Sequence, residues 1–114
     1  MTFDEVYNNI IVPCATAVGG RSTYYQWPVG SAPKPPYVIY YYPASDDLAA
    51  DNSNYVALRP VYIELYTDNK DFAAEAAIEG TLAAAGVSYL KTEIPLDDES
   101  MFMVLYETEV IING

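Results

Sequence analysis

Apolar residues return at three- and four-residue spacing at the start of the chain, where Phe3, Val6, Tyr7, Ile10 and Ile11 form one stripe. That period predicts a helix with one buried face. Thr2-Phe3-Asp4-Glu5 reads as its capping box, the Thr2 hydroxyl accepting from the Glu5 amide while the Glu5 carboxylate returns to Thr2. Pro13 lacks an amide donor and clashes with the preceding turn, so the helix is expected to stop there. From Cys14 to Pro36 glycine and proline punctuate the text, with one strand expected over Ser22 to Trp27. The run Tyr37 to Tyr42 is aromatic and β-branched and predicts a second strand, closed by Pro43. Asp46, Asp47, Asp51, Asn52, Ser53 and Asn54 then mark an exposed loop.

The clearest alternation follows. Between Tyr55 and Tyr66 one parity carries Val61, Ile63 and Leu65 and the other carries Tyr62, Glu64 and Tyr66, a strand with a core side and an outer side. Thr67 to Asp71 offers helix caps, and the Ala-rich stretch from Phe72 to Ala85 predicts a second helix that stops at Gly86. Ile78, Leu82 and Ala85, with Phe72 and Ala76 near the start, are expected on its buried side. Val87 to Ile94 and Met101 to Ile112 complete the pattern as strands around an acidic turn at Pro95 to Ser100. In the last strand Phe102, Val104, Tyr106, Thr108 and Val110 share a face opposite Met101, Met103, Leu105, Glu107 and Glu109. The expected fold class is α+β: one domain over residues 1–114, with a mainly antiparallel sheet of about four to five strands and two helices packed on one face.

Composition narrows the chemistry. The chain has 114 residues, with 16 Asp plus Glu against 5 Lys plus Arg, a formal charge of −11. A hydrophobic fraction of 52% with 12 Tyr still provides for a folded core and separates it from disordered acidic tails. The absence of His excludes Ser-His-Asp and Cys-His nucleophile systems and His-ligated zinc or haem. Cys14 is the one cysteine, so an intrachain disulfide is impossible; with no basic neighbour it reads as a small buried apolar residue, and a cytoplasmic setting is expected. Signal-peptide and membrane-span patterns are lacking. So acidic a surface repels phosphate, which argues against specific nucleic-acid binding.

Motifs that resemble sites reduce to plainer readings. Asp46-Asp47, Asp51 and Asp97-Asp98-Glu99 could suggest a Ca²⁺ loop, but the run from Asp51 has Val56 where an EF-hand needs glycine. No metal, cofactor or catalytic residue is assigned. A glycosidase pair needs a cleft that a small sheet with two short helices rarely supplies. Pro33-Lys34-Pro35-Pro36 matches a loose P-x-x-P spacing and reads as a rigid entry to the Tyr37 strand, and Gly19-Gly20 reads as a turn. The tyrosine clusters at Tyr24-Tyr25 and Tyr40-Tyr41-Tyr42 fit sheet faces and protein contacts better than base stacking.

Met1 to Tyr7, Pro36 to Tyr41, Asp51-Asn52, the stretch Tyr62 to Asp71, Ala76 to Leu82 and the closing Leu105-Tyr106-Glu107 together resemble the tail terminators, small tail-completion proteins of long-tailed bacteriophages and prophages. Residues from Pro13 to Gly30 fit that resemblance least. It implies a non-enzymatic virion protein, a ring-forming cap, commonly hexameric. Its partners would be further copies of itself, the tail-tube protein and the head-connector protein. It would reside in the virion tail, after assembly in the bacterial host cytoplasm. A closed ring needs two different patches on each subunit. Tyr40, Tyr42, Tyr62, Glu64 and Tyr66 are the expected subunit interface, and Asp46, Asp47 and Asp51 the expected tube contact or channel lining, where acids would keep DNA sliding. A head-to-tail connector subunit or another minor tail protein would suit the same features. An acidic DNA-mimic inhibitor is the alternative from another class.

Overall fold

The computed structural model describes residues 1–43, 57–96 and 101–112. Residues 3–17 form one helical rod in three stretches: α1 (Phe3–Val6), a π-helical turn (Tyr7–Ile11) and α2 (Val12–Ala17). Strands β1 (Ser22–Tyr24), β2 (Tyr37–Tyr41) and β3 (Ala57–Thr67) follow, then helix α3 (Phe72–Ala84) and strands β4 (Tyr89–Leu96) and β5 (Met101–Ile112). The strands make one sheet in the order β1-β2-β3-β5-β4. Among the described residues the β1–β2 pairing is parallel and the other three are antiparallel. The fold is α+β, with the helices on one side of a mixed sheet, as the chain's periodicities predict.

The rod begins as expected. The Glu5 amide donates to Thr2 Oγ1 at 3.1 Å and the Thr2 amide donates to Glu5 Oε1 at 2.8 Å, which closes the capping box. It does not stop at Pro13. The Val12 amide reaches back five residues to the Tyr7 carbonyl, so the helix widens by one residue just before the proline. That wider turn relieves the clash between the proline ring and the carbonyl four residues earlier, which would break a regular α-helix. The rod instead ends at Val18: the Gly19 amide donates to the Thr16 carbonyl and the Gly20 amide to the Ala15 carbonyl at 2.7 Å. Gly19 holds φ at +115°, the conformation this helix stop requires. The same motif closes α3 at Gly86, where Val87 donates to the Leu82 carbonyl at 2.9 Å. Using Val87 in the cap delays β4 to Tyr89, two residues after the expected start.

β1 is three residues long because Tyr25, at φ +67°, turns the chain out of extended geometry and cuts short the strand expected to Trp27. β5 has the expected bounds. It pairs with β3 over Ala57–Thr67 and with β4 over Tyr89–Leu96, so it lies between them and β3 and β4 run parallel on either side of it. α3 is the crossover between these two strands.

The core lies between sheet and helices. Val61, Ile63 and Leu65 of β3, Val104 and Tyr106 of β5, Val38 of β2, Ile78 and Leu82 of α3, and Val6, Ile11 and Cys14 of the rod are 0% exposed. Burial of each large aliphatic side chain contributes about 1.5–3 kcal/mol. Cys14 is apolar filler, as expected, and burial pushes its thiol up to about 12. Two helical faces differ from expectation. Phe3 and Tyr7 are exposed, leaving Val6, Ile10 and Ile11 as the rod's buried stripe. On α3, Phe72, Ala76 and Ala85 face outward, while Ala74, Glu75, Ile78 and Leu82 are buried. Phe72 instead lies beneath the Lys70 ammonium, 4.8 Å from its ring centre. Among the described residues no helix is long and apolar enough to cross a membrane.

The parity of β3 makes a direct test of the fold. Ile63→Asp or Leu65→Asp places an uncompensated charge in the core and unfolds the chain, read as loss of a cooperative thermal transition. Tyr62→Ala, on the other side of the same strand, keeps the transition. Equal loss in both variants contradicts the assignment of faces.

Candidate functional site

Cross-strand register decides which side chains share a face. β2 pairs Tyr37 with Tyr66, Ile39 with Glu64 and Tyr41 with Tyr62, while Tyr40 is opposite the buried Ile63. The expected interface therefore divides between two sides of the sheet. Tyr62, Glu64 and Tyr66 lie on the face that carries no helix, and the strand neighbour that joins them is Tyr41. Tyr40 and Tyr42 lie on the helix side. There Tyr42 meets Phe3 edge-on at 5.0 Å, and Tyr40 meets Tyr24 at 5.1 Å. These rings, with Asp4, Tyr7 and Arg59, line an open groove of about 540 Å³. Burial raises the Tyr40 phenol and pushes that of Tyr42 up to about 12. Asp46, Asp47 and Asp51, the expected tube contact, lie outside the described residues.

The open face is built on β3 and its neighbours. Glu64 is half-buried and clamped by two phenols: Tyr66 donates to Oε1 at 2.8 Å and Tyr41 donates to Oε2 at 3.0 Å. Tyr66 is stacked on Tyr37 at 5.1 Å, and Tyr41 meets Tyr62 at 5.7 Å. Tyr25 and Trp27 pack edge-on against Tyr41 and Tyr37, so the β1–β2 connection crosses the outer side of β2 and, among the described residues, leaves β3, β5 and β4 uncovered. Burial, then the charge of Glu64, pushes the Tyr41 hydroxyl up to about 12; burial and the bond to Glu64 raise Tyr66 as well. Both phenols stay protonated near neutral pH and keep the carboxylate oriented. Beside them Tyr62 is opposite Glu107, and its hydroxyl is raised by desolvation and by a hydrogen bond to that carboxylate.

Toward β4 the surface becomes aliphatic. Leu90 is opposite Glu107, and Ile94 is opposite Met103. Leu58, Leu90, Ile94 and Ile111 are all exposed on this side. Pro60, Tyr62, Leu90, Glu107 and Glu109 contribute to a shallow depression of about 400 Å³. The two bases within strands point the other way: Arg59 is opposite the buried Val110 and Lys91 opposite the buried Tyr106. The open sheet face therefore presents Glu64, Glu107 and Glu109 with tyrosine and aliphatic side chains, and among the described strand residues no lysine or arginine.

A second charged cluster lies on the helix side and has a different character. Glu75 of α3 is buried, with its Oε2 2.6 Å from Lys70 Nζ and its Oε1 2.8 Å from Lys91 Nζ. The Lys91 contact is off the hydrogen-bonding axis, so charge holds that oxygen. Lys91 also pairs with Glu79 at 2.7 Å, Lys70 pairs with Glu93, and Tyr106 donates to Glu79 at 2.8 Å. Burial pushes the Glu75 carboxyl up, but the two lysines outweigh it and hold it below the ordinary value; Glu79 shows the same balance. Contact with the Glu75 carboxylate raises both lysines. Glu75 and its lysines fasten α3 to β4, a structural role that explains where two of the chain's five bases are used.

Sequence reasoning named Tyr62, Glu64 and Tyr66 together but not Tyr41, Glu107 or Leu90, which share their side of the sheet. Their signal lies in register: the last strand's outward parity contains Glu107, which faces Tyr62 once β3 and β5 are aligned. Among the described residues no group of three or more acidic or cysteine side chains is placed to hold a metal ion. No family model matches the chain, and no curated protein matches it in sequence.

The buried ion cluster gives a pH prediction. Depressed carboxyls contribute stability above their ordinary value of 4.5 that is lost as pH falls through their lower folded values. Raised lysines contribute stability below their ordinary value of 10.5 that is lost as pH rises through their higher folded values. Glu75→Gln should destabilise the chain by about 2 kcal/mol at neutral pH in urea unfolding, because Lys70 and Lys91 lose their shared anion. The gap between wild type and variant should narrow as the pH is lowered into the acid range. A constant gap contradicts the ionic reading.

Proposed function

We propose that this chain is a non-enzymatic, ring-forming structural subunit of a phage tail, a tail terminator that caps the tube and joins it to the head connector. The observation that carries the reading is the uncovered sheet face with its tyrosine array around Glu64. Tyrosine supplies large contact area at low cost in side-chain entropy, and such patches typify surfaces that pack on other proteins. The α+β order and the sequence resemblance to tail terminators support the same reading. The open face serves as an assembly surface. The helix-side groove around Tyr40 and Tyr42 offers a second, different patch, as a head-to-tail ring requires. Asp46, Asp47 and Asp51 retain their proposed place at the tube or channel.

The test is mass in solution, by sedimentation and native mass spectrometry, with and without purified tail tubes. The expected result is a ring on tube ends that Tyr62→Ala weakens by about tenfold or more while the variant remains folded. A strict monomer that never meets tubes contradicts the proposal. Tight, salt-sensitive binding to a basic nuclease or polymerase would favour the DNA-mimic alternative instead.

A further inference from the structure

Two unlike patches sit at opposite ends of β2. At its end lies the groove of the helix side, where Phe3, Tyr7 and Tyr24 are exposed beside the rings of Tyr40 and Tyr42, and the exposed Asp4 completes the lining. At its start lies a lip formed by the β1–β2 connection. Tyr25 packs on Tyr41 and Trp27 on Tyr37, so the connection runs back along the outer side of β2 toward its first residue. It then turns at Pro28 to Ser31, where the Ser31 amide donates to the Pro28 carbonyl at 2.9 Å and Gly30 holds φ at +79°. Arg21 donates twice to the Pro36 carbonyl and fastens the far end of the lip. Val29 is fully exposed at the tip, followed by the P-x-x-P run Pro33-Lys34-Pro35-Pro36. Lys34 is exposed and, of the chain's five bases, is the one with no bond or ion pair among the described residues.

From this we infer that the lip of one copy seats in the groove of the next, with Val29 and Pro33 against the tyrosine rings and Lys34 toward Asp4. Proline-rich segments dock in grooves lined by aromatic rings, which gives the P-x-x-P run a role beyond its entry to β2. The charges match as well: Lys34 lies on the lip and Asp4 in the groove, while Arg59 is held over the Phe3 ring, 6.0 Å from its centre. A chain cannot seat its own lip, because the groove opens at the other end of β2 and on the other side of the sheet. Each copy therefore offers one lip and one groove that satisfy each other only between copies, the head-to-tail contact that closes a ring. Seating the lip also sets the outer side of one copy against the helix side of its neighbour. This contact rests on the ring-forming reading above and names the two segments that meet in it. The turn at Pro28 to Ser31 is already formed in the free chain, so little ordering entropy opposes the contact.

The experiment compares full-length chains at low salt, with association between copies read by sedimentation equilibrium in solution and by native mass spectrometry on purified tail tubes. Asp4→Lys and Lys34→Glu each set like charges across the contact, and each should weaken association about tenfold while the thermal transition is kept. Mixed in equal amounts, the two variants should associate to within about threefold of wild type, because every groove then finds a lip of opposite charge. Val29→Asp, at the exposed tip, gives a third reading should Asp4→Lys destabilise the helical rod, and it should weaken association as much as Lys34→Glu does. A mixture that associates no better than its components would overturn the inference. So would association unchanged by Lys34→Glu and Val29→Asp. Loss of tube binding in Asp4→Lys with association between copies intact would give the groove to the tube protein and overturn it too. Rings on tube ends that tolerate all three substitutions would remove this contact and leave the tail reading standing; association restored by mixing, without any binding to tubes, would do the reverse. A wild-type chain that neither associates nor caps tubes would overturn both.

Discussion

The pairing of β3 with β5 is the constraint on which the other features depend. Eleven residues of β3, from Ala57 to Thr67, are held in one register against Ile112 to Phe102. Since side chains alternate along a strand, this register sends Val61, Ile63 and Leu65 to the helices and Tyr62, Glu64 and Tyr66 to the open side. A slip of one residue would exchange the two sets and bury a carboxylate with two phenols. Thr108 stabilises the register from within: its hydroxyl donates to the Val61 carbonyl at 2.7 Å, a buried bond that only this alignment allows.

From that alignment comes a separation of charge. On the helix side Glu75 and Glu79 are matched with lysines and are used to hold α3 against the sheet. On the open side Glu64 is instead matched with the hydroxyls of Tyr41 and Tyr66. The strong acidity visible in the composition is thus not one property. Some of it is neutralised structural charge, and some is an oriented negative surface available to a partner.

Much of the fold was legible because its signals are local. The capping box at Thr2, the alternation along β3, the Ala-rich helix with its Gly86 stop, and the bounds of β5 follow from residue type and spacing alone. What was not legible depended on context. Pro13 is an ordinary helix breaker in sequence, and only the widened turn before it lets the rod continue to Ala17. β2 has apolar residues on both parities, Tyr37, Ile39 and Tyr41 against Val38 and Tyr40, so its orientation could not be read before its register with β3 was known. That ambiguity is why Tyr40 and Tyr42 were grouped with Tyr62 and Tyr66 although they face the helices. The site was legible in β3 alone; its completion by Tyr41 and Glu107 comes from neighbouring strands.

The account's central claim is that the uncovered sheet face is a surface used in assembly. Oxidative footprinting of side chains reads the two faces separately in a single sample, with and without tail tubes. The account predicts that Tyr62, Leu90 and Met103 become protected on the assembled tube. Protection of Phe3, Tyr7 and Tyr24 with Tyr62 and Leu90 still reactive would contradict it.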